Sequence, residues 1–494
     1  MPLMMKLNRV LFLFIVIIVE GYVVLSTELL AIRQTMPFVG SGTETVSIII
    51  AAVLMPLAFG YYFGGRWHPK KFLGRRMTIR RKLIFNIIVS SVILMFGMSY
   101  VLLNAFFFTL TTLEFTNRLF LTALYAVLFI VMPVYLLGQT IPLVSNYFTS
   151  QKLSQITGRM LFFSTLGSFM GAVFSTIVLM ATIGVNYTAC VNFALLAFLV
   201  VLLSKKKLSE PVIVALAVAA LAFYLNSGAQ LAKFNIVENN QYNNIAVFKD
   251  KMGNRHISIN NNADSMLGPG GRKHEYLEFI ERIAIDPIRS GPEPRDILII
   301  GSGGLTFGHE DAFNHYDFID IDKSLRGISE EYILREKLKP NKEFHPVEAR
   351  AYLNSTDKKY DIVLLDAFRG DLTIPENLVT REFFVQVKDH VKEHGLVIAN
   401  FGISPNFRSA FSRNLDNTFR SVFPHVSRSV IKEKYLLWEE EPDFLANVIY
   451  IYRENKEEDA TEIYTDDKNR SFYDKPQTKP NVKKQLKLFD PKVH

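Results

Sequence analysis

One cysteine, Cys190, and two tryptophans stand among 494 residues. A lone thiol excludes a disulfide framework within the chain and a metal site built on cysteines. Two nucleotide-binding signatures are missing as well. The chain has no Gly-Lys-Ser/Thr phosphate loop, and its glycine turn Gly301-Ser302-Gly303-Gly304 has Thr306 where a dinucleotide fingerprint needs a third glycine. Long apolar runs are absent after about residue 228. Acidic charge is in deficit, with 47 Asp and Glu against 55 Lys and Arg, a formal net charge of +8. The basic residues cluster beside apolar segments, which membrane topology explains better than nucleic-acid binding.

The apolar residues, 49% of the chain, are concentrated in residues 1–228. About seven segments there approach bilayer-spanning length, near 9–32, 43–64, 84–108, 118–142, 159–184, 186–204 and 210–226. The expectation is an α-helical membrane bundle and a multi-pass integral protein of a bacterial inner (cell) membrane. The first segment has no small-residue cleavage site and reads as a retained helix. The basic stretch Arg66 to Lys82 should face the cytoplasm and puts the N-terminus inside. An odd number of spans then leaves the second half outside, whereas nucleoside chemistry points to the cytoplasm. Val212 to Leu225, after Glu210-Pro211, is short enough to lie in the interface instead, so sidedness stays open.

Within this half, Glu20 and Glu28 share one face of the first segment, with Arg33 beyond them. They read first as a structural ion pair or snorkelling pair and second as a polar site for a cationic substrate. Gly60-x-x-x-Gly64 and Gly167-x-x-x-Gly171 predict close helix packing. Pro133 and Pro142 around Gly138-Gln139-Thr140 predict a broken helix.

Residues 229–455 alternate strand and helix patterns, and 456–494 are polar and Lys-rich, read as a flexible tail. Asn235 to Phe248 and Arg255 to Ile259 predict a small β-region, and Lys273 to Ile285 an amphipathic helix. Asp296 to Ile300, Tyr316 to Ile319, Tyr360 to Leu365 and Gly395 to Phe401 read as buried parallel strands, with Asn447 to Tyr452 a late antiparallel one. The fold expected is α/β and Rossmann-like, with ligands at the strand C-termini. Ligand groups should therefore come from Gly301, Gly303, Asp320, Asp322, Glu348 and Asp366. An acid about 20 residues after the glycines suits the two hydroxyls of a ribose. A glycine loop without a pyrophosphate fingerprint favours a nucleoside such as S-adenosylmethionine or a relative, with no metal. Glu348-Ala349 sits where a carboxylate can meet an adenine amino group. Asp366 reads either as a proton acceptor at the reacting centre or as an N-cap of the following turn.

Several stretches resemble the spermidine synthase (polyamine aminopropyltransferase) family over roughly residues 238–455. They are Gln241-Tyr242-Asn243-Asn244-Ile245, His274-Glu275, Ile299 to Gly304, Asp320-Ile321-Asp322, Glu348-Ala349-Arg350 and Tyr360 to Asp366. The whole chain resembles the bacterial subgroup in which a multi-spanning, transporter-like half precedes this domain. The stretches Glu28 to Arg33, Phe59 to Arg66, Gly158 to Gly171 and Asp366 to Phe383 carry that likeness. The resemblance implies aminopropyl transfer from decarboxylated S-adenosylmethionine to an amine, a polyamine partner and self-association. It implies nucleoside contacts at Gly301, Gly303, Asp320, Asp322, Glu348 and Ala349, and catalysis at Asp366. On the substrate side it implies Tyr242, Asp264, His274, Glu275, Arg369 and Asp371.

The chain departs from the family pattern on the amine side. Pro269-Gly270 replaces an Asp-Glu pair, Lys273 replaces a Tyr, Asp264 replaces a Gln, and Arg369 replaces a second aspartate. A polyamine is a cation and needs carboxylates or aromatic faces. Two further readings therefore stay open. One is an alkyl- or methyltransferase using S-adenosylmethionine itself, with Arg369 holding the methionine carboxylate. The other is a non-catalytic transporter or sensor with a degenerate synthase domain.

Overall fold

The computed structural model describes residues 2–40, 42–69, 71–72, 75–146, 153–367, 374–424, 426–431, 445–452 and 463–471. Two compact units emerge: residues 1–234 with 239–241, and residues 235–238 with 242–494.

In the first unit the sequence is apolar around the whole helix circumference, so each helix both packs inward and leaves large apolar side chains on its surface. Leu54, Met55, Phe162, Phe169 and Ile177 are among those exposed. The helices are α1 (Pro2–Val39), α2 (Thr43–Gly65), α3 (Ile79–Met98), α4 (Tyr100–Thr112), α5 (Arg118–Ser145), α6 (Gln155–Thr182), α7 (Gly184–Leu203) and α8 (Glu210–Leu225). Among the described residues, seven stretches are long and apolar enough to cross a membrane. The third differs from the sequence expectation of one segment over 84–108. Ser99 takes an extended conformation and separates α3 from α4. Asn226 satisfies the break, accepting from Tyr100 N at 3.4 Å and donating to Ser99 Oγ at 3.3 Å. The last stretch continues from α8 through a short helix, Gly228–Ala232. α5 is interrupted at Gln139, whose Oε1 accepts from Asn86 Nδ2 at 3.1 Å. The small-residue motifs mark backbone contacts. A Cβ on Gly60 would lie 2.6 Å from the Tyr135 carbonyl, and one on Gly167 or Gly171 would collide with the carbonyls of Ile18 or Tyr22.

The second unit opens with a four-stranded sheet in sequential order, β1 (Ile236–Asn239), β2 (Asn244–Lys249), β3 (Arg255–Ile259) and β4 (Asn262–Leu267). The sequence reading did not identify β4. Its neighbour β3 pairs with it antiparallel across the tight Asn260-Asn261 turn, where both residues have positive φ. Asparagine tolerates that conformation better than most residues do.

Helix α9 (Glu275–Ile280) leads to a seven-stranded sheet. Its strands are β5 (Asp296–Ile300), β6 (His315–Asp320), β7 (Lys342–Pro346), β8 (Tyr360–Leu365), β9 (Val391–Ile403), β10 (Val426–Ile431) and β11 (Ala446–Tyr452). The spatial order is β10-β11-β9-β8-β5-β6-β7. β11 runs antiparallel between β9 and β10; the other pairings are parallel. Helices α10 (Ala349–Ser355), α11 (Arg381–Asp389) and α12 (Ala410–Arg420) connect or flank these strands. The apolar runs of β5 and β8 bury both faces. Leu298, Ile300, Val363 and Leu365 join one core, while Ile297, Ile299, Ile362 and Leu364 join the other. Strand order reverses between β5 and β8, so the crevice for a ligand lies at their C-terminal ends.

Candidate functional site at the strand tips

Gly301 follows β5 with φ +96°, and a Cβ there would strike the backbone carbonyl of Asp366 at the tip of β8. Glycine is required on both counts, conformation and space. Gly303 also has positive φ, and its Cβ would lie 2.5 Å from Ser265 Oγ on β4. That hydroxyl accepts from Gly304 N at 2.9 Å, which fixes the turn. The loop is therefore packed from below and keeps a bare backbone.

Asp320 ends β6. Its carboxylate accepts from Ser302 N at 3.2 Å, Ser302 Oγ at 3.3 Å and Asp322 N at 3.0 Å. Burial nonetheless pushes its pKa up to about 6, because among the described residues no cation offsets the desolvation, and Asp322 adds repulsion. Asp322 is fully buried and turned into the protein. It accepts from Ser324 N at 3.0 Å, Ser324 Oγ at 2.7 Å and Asn243 Nδ2 at 2.9 Å. Its geometry fixes the turn after β6, whereas Asp320 borders the glycine loop.

Asp366 lies at the tip of β8, half-buried. Oδ2 accepts from Tyr276 OH at 3.1 Å and Oδ1 from Asn400 Nδ2 at 2.9 Å. Burial pushes its carboxyl up to about 7, against the smaller opposing pull of those two donors. Among the described residues no basic side chain forms an ion pair with it. A carboxylate poised near neutrality beside a ligand crevice is suited to accept a proton.

Other sequence-selected residues are placed differently. Glu348 is the N-cap of α10. Its Oε2 accepts from Ala351 N at 2.9 Å and Oε1 from Asn377 Nδ2 at 2.9 Å. Ala349 is the buried first residue of that helix. His274 caps α9 and Glu275 begins it; the His274 ring stacks on Tyr276 at 6.1 Å between centroids. Tyr242 is half-buried in the loop between β1 and β2. Asp264 has its backbone in β4, but its side chain lies outside the described residues, as do Arg369 and Asp371 altogether. Lys273 does not face the tips. Its ammonium is buried against Glu281 at 2.6 and 2.7 Å, and Glu281 Oε1 also accepts from Gly308 N at 2.6 Å. Pro269-Gly270 forms an exposed 3₁₀ turn.

Tyr276, Asn400, Ser302 and Asn243 complete the site and were not singled out from sequence. Asn400 carried a signal: a lone polar residue inside the apolar run of β9, 2% exposed, has to find a buried partner. Tyr276 had only its adjacency to His274-Glu275.

The profile of the Spermine/spermidine synthase domain matches residues 276–433. A polyamine aminopropyltransferase of Vibrio vulnificus (strain CMCP6) is 33% identical over 159 residues, which cover 31% of this chain and 50% of that relative. Polyamine aminopropyltransferase 1 of Aquifex aeolicus (strain VF5) is 26% identical over 161 residues, 31% of this chain and 56% of the relative. The chain thus spans about half the length of these relatives. The crystal structure of spermidine synthase from Thermotoga maritima superposes with a TM-score of 0.34 at 14% identity, over 51% of this chain and 87% of that one. At that score the likeness has no bearing on the site. Residues 276–433, which contain Tyr276, the glycine turn, Asp320, Asp366 and Asn400, therefore match a spermine/spermidine synthase domain.

Proposed function

We propose that the protein is a membrane-anchored aminopropyltransferase that moves the aminopropyl group of decarboxylated S-adenosylmethionine to an amine. The observation that carries this reading is Asp366. It is a carboxyl pushed up to about 7, at the tip of β8, touching the glycine turn and held by Tyr276 and Asn400. The domain match over residues 276–433 and the relatives' names support the reaction class. The seven long apolar helices support the anchor.

In this reading the nucleoside lies over Gly301 and Gly303, with its ribose hydroxyls donating to Asp320. Glu348 reaches an adenine amino group only by exchanging its hydrogen bond to Asn377. The acceptor nitrogen attacks the aminopropyl carbon next to the sulfonium. A C–N bond forms, the C–S bond breaks, and methylthioadenosine leaves with the electron pair. The proton lost by the amine goes to Asp366, whose pKa near neutrality suits transfer at physiological pH. Collapse of the sulfonium charge drives the displacement, so the protein's main task is alignment. Lys273, turned away into its ion pair with Glu281, leaves the approach to Asp366 without a fixed positive charge from that position.

The test is calorimetric binding to full-length protein in detergent. It compares decarboxylated S-adenosylmethionine, S-adenosylmethionine and methylthioadenosine, with Asp320→Ala as control. Selective binding of the decarboxylated donor, lost in the variant, is the expected result. Preference for S-adenosylmethionine would turn the reading toward alkyl transfer, and no binding of any of the three would overturn it.

A further inference from the structure

Glu20 sits in the middle of α1 and is 1% exposed. Its Oε2 has no hydrogen-bond partner among the described residues. Tyr22, Ser26 and Thr27 on the same helix each have one. Tyr22 and Ser26 both meet Ser175 Oγ, at 2.9 and 2.8 Å, and Thr27 accepts from Asn192 at 3.4 Å. The helices around Glu20 are in close contact at rest. Gly21 is so close to α6 that a Cβ on it would lie 2.5 Å from the Ser164 carbonyl, and Gly167 and Gly171 bring the same two helices into backbone contact. Tyr61 of α2 is close enough to Glu20 to interact with it electrostatically and is itself flanked by Ser164 of α6, yet Oε2 has no hydrogen bond to either.

An ionised carboxylate buried without a counter-charge or donor is strongly disfavoured, because it loses its water with nothing in exchange. Arg33 is thirteen residues further along the same helix, about 20 Å at 1.5 Å per residue, too far to compensate. The neighbouring groups are accounted for. The titratable one that interacts with Glu20 across a helix interface is Tyr61. α6 brings Ser164 and Ser168 to this face of α1, and α7 brings Asn192, none of which titrates. On α1 itself the next carboxyl is Glu28, about two turns on.

We propose that Glu20 is a proton-exchange site inside the helical unit, a carboxyl that holds a proton at rest and releases it when the α1–α2–α6 contact admits a cation or water. The exchange is one O–H equilibrium, and no other bond forms or breaks. This assigns a ligand, the proton, to a position where a structural pair would show a partner. It rests on the reading that the helical unit lies in a membrane.

The experiment separates the two. Membranes carrying the full-length protein are first washed with alkaline carbonate; release of the protein would defeat the membrane reading by itself. Washed membranes are then exchanged into heavy water and titrated by difference infrared spectroscopy, comparing wild type, Glu20→Gln and Glu20→Asp. The expected result is a protonated-carboxyl band that fades as pH rises, is absent in Glu20→Gln and is shifted in Glu20→Asp. Labelling by a membrane-permeant carbodiimide, mapped by peptide mass spectrometry, should fall on Glu20 and decline over the same pH range. Wild-type and Glu20→Gln spectra that are identical at every pH, with carbodiimide modifying other carboxyls and sparing Glu20, would overturn the proposal.

Discussion

The two ends of the seven-stranded sheet treat buried carboxylates in opposite ways. At the N-terminal end, Asp296 and Asp361 share Lys392, whose Nζ is 2.8 Å from each, and Arg295 adds a contact to Asp361 at 3.0 Å. Asp317 receives Lys358 at 2.8 Å, His345 at 3.0 Å and the Tyr360 hydroxyl at 2.9 Å. Burial alone would raise Asp317 and Asp361, but their lysine hydrogen bonds and the other donors outweigh it and hold both below the usual carboxylate range. At the C-terminal end, Asp320 and Asp366 receive only neutral donors among the described residues, and burial wins, up to about 6 and about 7. Both groups of acids lie on the same strands within a few residues of one another. The difference teaches that folding this sheet does not require uncompensated carboxyls. Where they occur, at the strand tips, they stand free for a ligand to partner, which in the proposed reaction is a ribose at Asp320 and an amine at Asp366.

The comparison breaks most visibly at Asp366. Asp366→Asn should lower the transfer rate by roughly 10²–10⁴-fold, the span for loss of a general base, while calorimetry finds nucleoside binding retained. The same substitution should act on stability with a definite sign. A folded-state carboxyl raised to about 7 holds a proton that the unfolded chain, at about 3.9, has released. Stability from this group is therefore present at low pH and lost as pH rises from about 4 to about 7. Thermal melts should show Asp366→Asn more stable than wild type above that window and nearly equal below it. Next comes Asp320→Asn, which replaces a charged acceptor with a neutral one and should weaken nucleoside binding by about 10- to 100-fold in calorimetric titration.

Tyr276→Phe sharpens the account. The hydroxyl's hydrogen bond pulls Asp366 down, so its loss should move the midpoint of the pH–rate curve upward by roughly half to one unit. Unchanged donor affinity would accompany that shift. The smallest effect is expected at the opposite end. Lys392 is 39% exposed, so Lys392→Met should cost only about 1 kcal/mol in denaturant unfolding. It should leave nucleoside affinity untouched.

Much of this was legible in the chain because it is periodic or positional. Continuous apolar runs marked β5, β6, β8 and β9, and the glycine turn and Asp320 followed from where strands end. The roles that sequence could not separate depend on side-chain direction. Asp320 and Asp322 are two residues apart in sequence, yet one borders the loop and the other is buried in its own turn. Glu348 looked like a ligand group and serves in this structure as a helix cap, since acidic residues suit both positions. Lys273 stood out as a departure at the amine end, and only tertiary packing reveals Glu281 as its partner, eight residues on. Tyr276 and Asn400 converge on Asp366 from 90 and 34 residues away, separations that carry no local pattern. In the helical unit, hydropathy located the long segments but not the break at Ser99, which depends on Asn226.

The most direct test is the pH dependence of aminopropyl transfer by full-length protein, wild type beside Asp366→Asn, with decarboxylated S-adenosylmethionine and a diamine. The account predicts a wild-type rate that climbs through a midpoint near 7 and a variant that stays low and flat. A variant that keeps the wild-type rate and midpoint would contradict the assignment of Asp366 as the proton acceptor.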